Sequence, residues 1–292
     1  TAKPSPVFPR DHHAWARFEA GAWKTCRVVT ETLNAQGEVV NINLTTTTTS
    51  LERVGESDYT LRIEATVEVQ GKKFPGQPQT ITYGLFGQAE GETTHVKEAE
   101  GEVITLEGQP FSCRAWIVES TSEEKSRTTK LLVAEERSPY ILPRETATTA
   151  ADGKTPSSTT TEQVVAVDMP HKISGDILTA SHIRTVRKTP KGTSITLAVH
   201  SDKVPGGVVY HTSKELDTDG RLIRRSTLEL IDYDFQSDRR SLRQRRARHG
   251  RQSENADGNT HGQASDGLST ATDDYDGVTD ANANASRVSL PR

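Results

Sequence analysis

Alternation of apolar and polar residues with a period of two is the main pattern of the chain. Between Tyr59 and Val69 the apolar side chains occupy odd positions and the polar side chains occupy even positions. Because successive side chains of a strand point to opposite faces of a sheet, this pattern predicts a long strand with one buried face. The five threonines of 45–49 also fit a strand, since threonine favours extended backbone.

Glycine-containing pairs separate these extended segments. Gln36-Gly37 and Gln70-Gly71 are two of them, and Asp-Gly occurs at 152–153 and at 219–220. Asp-Gly between two strand patterns indicates a hairpin, because both turn residues accept positive φ. The sequence therefore predicts a mainly all-β fold, a long antiparallel meander of about ten to twelve strands.

An internal repeat becomes visible when the chain is shifted over itself by 66 residues. The segment 108–119 then aligns with 174–185, and the Asp-Gly pairs align after one extra residue. The aligned positions include Phe111 with Ile177, Trp116 with His182, Leu131 with Leu197, Val133 with Val199 and Pro139 with Pro205. We place the two copies near 101–168 and 169–235. The alternative is that any threonine- and valine-rich β protein aligns with itself.

Both ends differ from the predicted antiparallel β body at 11–238. Three prolines in residues 1–10 indicate a flexible N-terminal linker, and Asp11 as an N-cap predicts a short helix over 11–18. Residues 239–292 contain only six Ile, Val, Leu, Phe, Tyr or Trp residues. Such a segment cannot bury enough apolar surface to offset its ordering entropy, so we predict a disordered charged tail.

Composition and charge limit the function. Since the tail holds nine of the 36 basic and seven of the 40 acidic residues, residues 1–238 carry a net charge of −6. This charge offers no general attraction to nucleic acid, which is not expected as a partner. No stretch approaches 18 consecutive apolar residues, so no transmembrane helix is predicted.

The repeat predicts one inward face. Residues two apart in a strand share a face, so odd positions in the aligned segments should line a common interior. The predicted ligand-lining set is Phe111, Cys113, Leu131 and Val133 in the first copy and Ile177, Leu197 and Val199 in the second. Exposure of more than half of both Phe111 and Ile177 would contradict this register.

The segment 100–168 also resembles a known group of proteins. An apolar start at Gly108 and Phe111, a corner with Pro139 and an Arg144-Glu145 pair before a hairpin resemble bacterial envelope β-proteins with LolA/LolB-like sheets. The resemblance extends to 170–233. It implies a curved, half-barrel-like sheet, an extracytoplasmic location (periplasmic or secreted), and an apolar small molecule, a lipid or an envelope component as partner. It carries no catalytic residues.

Histidines are the first candidates for chemistry. His12 and His13 beside Asp11 could begin a metal site, but such a site needs three or four ligands, so we interpret them as exposed. The candidates for acid–base chemistry in a hydrolase are His182, His200 and His211, on successive predicted strands of the second copy. The alternative is that all three are surface positions.

Carboxylates in predicted turns are the second candidates. The set is Glu135, Glu136, Asp217, Asp219, Asp232 and Asp234. Paired acids serve glycosidase chemistry only at defined separations, so we interpret them as solvated. No GxSxG, HExxH, P-loop or dinucleotide-binding motif is present. We therefore predict no catalytic residue, no metal ligand and no cofactor.

Two features remain open. Seven arginines lie between 239 and 251, and the candidate polyanion-binding residues among them are Arg243, Arg245, Arg246 and Arg248. Cys26 and Cys113 could form one disulfide or remain as buried thiols.

The sequence favours a non-enzymatic, extracytoplasmic binding or envelope-associated β protein that holds an apolar or lipid-like ligand on a concave sheet. The alternatives are a hydrolase and a polyanion-binding protein.

Overall fold

The computed structural model describes residues 8–150, 155–173 and 175–235. These residues form one 3-10 helix, Arg10–His12, and fourteen strands. The strands are β1 (Trp23–Leu33), β2 (Val39–Val54), β3 (Asp58–Val69), β4 (Lys72–Pro75), β5 (Gln79–Gly84), β6 (Thr93–Leu106), β7 (Gln109–Thr121), β8 (Lys125–Val133), β9 (Ile141–Ala150), β10 (Pro156–Ile173), β11 (Asp176–Thr189), β12 (Gly192–His200), β13 (Val208–Asp217) and β14 (Leu222–Asp234).

All fourteen strands belong to one antiparallel sheet. Its order is β4-β3-β2-β1-β14-β13-β12-β11-β10-β9-β8-β7-β6, and β5 pairs with β3 beside this path. Strands β4 and β6 end the path, and no pairing joins them within the described residues, so the sheet is open. The predicted all-β meander is confirmed, with more strands than expected. Strand β4 has only four residues, and β6 is mostly exposed and carries four charged residues at its centre, so neither shows apolar alternation.

Two groups of four strands, β7–β10 and β11–β14, have strand pairings that match at a spacing of 67 residues through their first three strands. Trp116 pairs with Leu131 in the first group, and Ile183 pairs with Ala198 in the second. The corners match at the same spacing. The Ala134 amide donates to the Tyr140 carbonyl at 2.8 Å, and the Ser201 amide donates to that of Gly207 at 2.9 Å.

A one-residue error in the alignment reverses the predicted faces, because side chains of a strand alternate. At a spacing of 67, Phe111 corresponds to Leu178, which is partly buried, and not to Ile177, which is 75% exposed. Leu197 is 52% exposed for the same reason. Phe111 itself is half-buried.

The predicted inward set of the first copy also mixes two faces. Because Trp116 pairs with Leu131, odd positions of β7 share a face with even positions of β8. Cys113 therefore lies on the face opposite Leu131 and Val133. Both faces are buried in this half of the sheet, so all three side chains are nonetheless inaccessible.

Three apolar clusters form the core. The first joins β2, β3, β7 and β8 to the N-terminal segment, which is residues 8–22. It contains Phe8, Trp15, Ala16, Ala22, Leu51, Tyr59, Leu61, Leu85, Trp116, Val118, Leu131 and Val133. The second lies around β12–β14 and includes Cys26, Val199, Val204, Val208 and Leu228. The third lies among β6–β11 and includes Cys113, Ala115, Leu132, Val164 and Ile183. Both cysteines are buried in different clusters and form no disulfide.

The N-terminal segment packs onto the sheet. Phe8 and Trp15 are each 3% exposed, although Phe8 falls within the expected linker of 1–10. The helix predicted over 11–18 is reduced to Arg10–His12, because His13 has extended backbone. Backbone hydrogen bonds hold the segment at both ends, from the Gly206 amide to the Ala14 carbonyl and from the Leu51 amide to the Ala22 carbonyl.

Candidate functional site

A cavity of about 100 Å³ lies between the N-terminal segment and strands β8–β12. Its apolar lining consists of Phe8, Ala14, Leu85, Phe86, Leu131, Pro139, Tyr140, Ile141, Ile183 and Val204. Its other lining residues are His12, His13, Arg17, Ser138, Arg144, Glu162, Ser181, His200, Ser201, Asp202 and Gly207. The two repeat corners, 134–140 and 201–207, both reach this site.

The sheet register places an arginine beside a glutamate in the wall of the cavity. Arg144 on β9 pairs directly with Glu162 on β10, and the two side chains are only 10% and 9% exposed. Their nearest nitrogen and oxygen, Nη1 and Oε2, are 3.9 Å apart. This distance allows an ion pair but exceeds the 2.7–2.9 Å typical of a charge-assisted hydrogen bond. Among the described residues the Arg144 guanidinium has no hydrogen-bonding acceptor.

His13 is the second buried polar group of the cavity. Its Nδ1 accepts hydrogen bonds from the Trp15 amide at 3.1 Å and the Ala16 amide at 2.9 Å. The proton of the neutral ring therefore lies on Nε2. Burial, and secondarily the charge of Arg144, lowers the pKa of His13 to about 3, so the ring is neutral at physiological pH.

The Nε2 atom of His13 is buried and has no hydrogen-bond partner. The side chain is 2% exposed and borders the cavity. An unpaired buried donor costs about 1–3 kcal/mol of folding free energy. A group in the cavity that accepts a hydrogen bond would recover part of this cost.

A second histidine and a lysine lie at the β12 end. Burial lowers the pKa of His200 to about 3, and the positive charge of Lys24 acts in the same direction. The Lys24 side chain is 2% exposed, its Nζ lies 3.4 Å from the Val208 carbonyl, and it lies over the Trp15 ring at 5.6 Å. Since Lys24 has no carboxylate contact among the described residues, it adds uncompensated positive charge near the cavity.

The rim of the cavity combines an aromatic stack with an ion pair. His12 stacks on Tyr140 with ring centroids 3.8 Å apart, and burial lowers the pKa of His12. The Nη1 atom of Arg17 lies 3.8 Å from the Oδ2 atom of Asp202, which belongs to the other corner. The N-terminal segment therefore contacts both repeat corners and covers the site.

The seven predicted lining residues do not come together in one site. Leu131 alone among them borders the cavity, and Val133 lies in the same cluster on the same face of β8. Cys113 and Phe111 belong to the third cluster, and Val199 belongs to the second. Ile177 and Leu197 are exposed.

The three histidines of the second copy divide between two faces of the sheet. His182 pairs with Val199, whereas His200 pairs with Ser181 and Ala198 pairs with His211. His200 and His211 therefore share a face, and His182 lies on the other. In the part of the chain that the structure describes, no three His, Cys, Asp or Glu side chains are grouped as a metal site.

The turn carboxylates have structural contacts. Glu135 accepts a hydrogen bond from Arg114 at 2.6 Å, and Asp217 accepts from the amides of Asp219 and Arg221, both at 2.9 Å. The hydrogen bonds from the Arg221 and Asp219 amides lower the pKa of Asp217 and close the β13–β14 hairpin. The candidates Glu136, Asp232 and Asp234 lie outside the cavity lining as well.

Other sequence predictions fall outside the described residues. They are the tail at 239–292 with Arg243, Arg245, Arg246 and Arg248, and the Asp-Gly pair at 152–153. The matching turn of the second copy is present, since Gly220 has a φ of +79° in the β13–β14 hairpin.

Sequence reasoning missed Arg144, Glu162 and His13 as neighbours. The three are separated by up to 149 positions, and each stands in a polar context that resembles surface. A usable signal existed for one pair. Arg144 and Glu162 occupy opposite strands of a hairpin that the Asp-Gly at 152–153 indicates. Counting back from that turn brings Arg144 opposite Thr161, and a register shift between Pro156 and Ser158 brings it opposite Glu162.

No protein-family model matches the sequence, and no curated protein matches it. The solved structures that show similarity include the following two. A putative lipoprotein from Parabacteroides distasonis has 8% identity and a TM-score of 0.33, with 74% of this chain and 96% of that chain covered. A putative exported protein with YmcC-like fold from Bacteroides fragilis has 9% identity and a TM-score of 0.31, with 74% and 97% covered. Neither similarity carries a conclusion about this chain.

No helix within the described residues is long and apolar enough to cross a bilayer.

Proposed function

We propose that this protein is a non-enzymatic, extracytoplasmic binding protein of the bacterial envelope, and that it holds a small, partly apolar molecule inside its sheet. The observation that carries the proposal is the cavity of about 100 Å³ between the N-terminal segment and β8–β12. Ligand sites are typically concave and apolar with a few polar groups at fixed positions. The cavity has this composition.

The covered interior changes the expected ligand. The sequence resemblance implied an apolar or lipid-like molecule on an open concave sheet, but Phe8 and Trp15 occupy part of that space. An engineered cavity of about 150 Å³ holds one benzene molecule. A space of about 100 Å³ therefore suits a molecule of about five non-hydrogen atoms.

Ligand binding is tested by thermal unfolding and isothermal titration calorimetry with small alcohols, amides and carboxylates. Binding to the folded state raises Tm in proportion to ligand concentration over Kd. As a cavity-filling control, Leu131→Phe should abolish binding by occupying the apolar wall. If no probe binds to the wild-type protein, ligand binding in this cavity is refuted.

The proposed location is tested by fractionating the source cells and probing the fractions with an antibody. We expect the protein in the periplasmic, membrane or secreted fraction. Recovery in the cytoplasmic fraction alone would refute an extracytoplasmic role.

A further inference from the structure

Two donor groups of the cavity lining, on Arg144 and His13, have no hydrogen-bonded acceptor among the described residues. Arg144 presents a guanidinium with five N–H donors, and its nearest acid oxygen, on Glu162, is 3.9 Å away. The neutral His13 adds an Nε2 donor that is buried and unpartnered. The first of these groups carries a permanent charge and the second does not.

Charged groups of both signs surround the cavity. Among the lining residues, Arg144 faces Glu162 and Arg17 faces Asp202. Lys203 Nζ also lies 3.8 Å from Asp202 Oδ2, and Asp11 and Glu135 act on the pKa of His12. The two donor groups without an acceptor, and not a net charge, therefore indicate the ligand class.

Apolar side chains form another part of the lining. They include Phe8, Leu85, Phe86, Leu131 and Ile141. A fully inorganic anion would leave these side chains in contact with a strongly hydrated ion. A molecule with a charged oxygen group at one end and a short hydrocarbon tail at the other would satisfy both parts of the lining.

We propose that the cavity binds a small aliphatic monocarboxylate, with the carboxylate on Arg144 and His13 and the hydrocarbon tail against Phe8 and Leu131. The proposal rests on the proposed binding function and specifies its ligand class. A guanidinium matches a planar carboxylate through two parallel N–H···O bonds, which a lysine could not provide. The cavity volume of about 100 Å³ matches a ligand of about five non-hydrogen atoms, which is the size of propionate.

The test compares propionate with propionamide, which has the same shape and no charge, and with 1-propanol. Binding is measured by calorimetry at constant ionic strength, and the ¹⁵N resonance of His13 Nε2 is followed in parallel. We expect propionate to bind at least ten-fold more tightly than propionamide and to shift the His13 resonance.

The site variant is Arg144→Gln combined with Glu162→Gln, which removes both charges together and leaves no buried ion alone. Its matched control is Arg127→Gln combined with Glu92→Gln. That pair is similarly buried, at 10% and 8% exposure, and does not line the cavity. We expect the site variant to lose propionate binding at least ten-fold and the control to retain it, with folding of each checked by circular dichroism.

The outcomes separate the two proposals. If propionate and propionamide bind equally, or the site variant keeps its affinity for propionate, the carboxylate inference is wrong and the binding function stands. If none of the three probes binds, both are wrong, and the cavity is a structural void that water fills.

Discussion

Gly206 is the position at which the packing of the N-terminal segment can be tested most directly. Its φ of +72° lies in the left-handed region, and its amide donates to the Ala14 carbonyl at 2.9 Å. A Cβ atom placed there would lie 2.6 Å from two atoms of the Trp15 ring. Such a distance cannot be accommodated without moving the indole, which is 3% exposed.

The expected cost of Gly206→Ala has two parts. A left-handed backbone with a Cβ costs about 1–2 kcal/mol, and overpacking of a filled core costs about 1–3 kcal/mol. The total is about 2–5 kcal/mol. Gly220→Ala provides the matched control, because Gly220 has a φ of +79° and nothing within 4 Å of its Cβ position. The control should therefore cost only the backbone part.

Urea denaturation followed by tryptophan fluorescence measures both variants. We expect the midpoint for Gly206→Ala to fall clearly below that for Gly220→Ala. In a Trp15→Ala background the added cost of Gly206→Ala should shrink to the backbone part, since the ring it would meet is gone. The packing of Trp15 against this corner would be refuted by equal losses of stability in the two glycine variants. It would also be refuted if Gly206→Ala cost as much in the Trp15→Ala background as in the wild-type protein.

Three other predictions follow from burial. Because burial lowers the pKa of both His13 and His200 to about 3, each ring binds a proton below its ordinary pKa of 6.5 in the unfolded state and not in the folded state. The free energy of unfolding should thus fall from pH 6.5 towards 3 by about 1.4 kcal/mol per pH unit for each of the two histidines, and this contribution should be halved in His13→Gln, as urea titrations at each pH would reveal. Trp116→Ala should destabilise by about 3–5 kcal/mol and Phe111→Ala by less, because Trp116 is 1% exposed and Phe111 is half-buried; equal losses would contradict this. Deletion of 239–292 should leave Tm of the remaining chain unchanged within a few degrees, and a larger fall in calorimetry would show that the tail packs on the sheet.

The β fold could be predicted because its local signals agree. Alternation from Tyr59 to Val69 and the glycine of each turn both indicate antiparallel hairpins. One turn signal was overlooked. The Oδ1 atom of Asn34 accepts hydrogen bonds from the Gln36 and Glu38 amides. The Oδ1 atom of Asp217 accepts from the amides two and four residues later in the same way, so both loops begin with an Asx turn. The similarity of the two loops was visible in the sequence, because an Asn or Asp stands three residues before the glycine of each loop.

The faces of the repeat could not be predicted from apolar alternation alone. Leu131, Leu132 and Val133 are consecutive and all buried, because both faces of β8 are covered. A run of consecutive apolar residues does not show which side chains share a face, so a shift of 66 or 67 residues fits it equally well. The backbone hydrogen bonds of the two corners decide the matter, since they join Ala134 to Tyr140 and Ser201 to Gly207 at a spacing of 67.

The candidate site was harder to predict because its polar residues look like surface residues in sequence. In a sheet with one solvated face, an arginine opposite a glutamate is the usual exposed cross-strand pair, and nothing in β9 or β10 distinguishes Arg144 and Glu162 from such a pair. What buries them is the N-terminal segment, whose composition of prolines, histidines and one tryptophan favours an exposed terminus. Trp15 lies against Gly206, 191 positions away in the chain, and the Gly206 amide donates to the Ala14 carbonyl, so contacts with this corner hold the segment that carries His13. We therefore expect that a variant that displaces Trp15 exposes Arg144 to water and weakens the proposed ligand binding, even though no residue of the cavity wall has been changed.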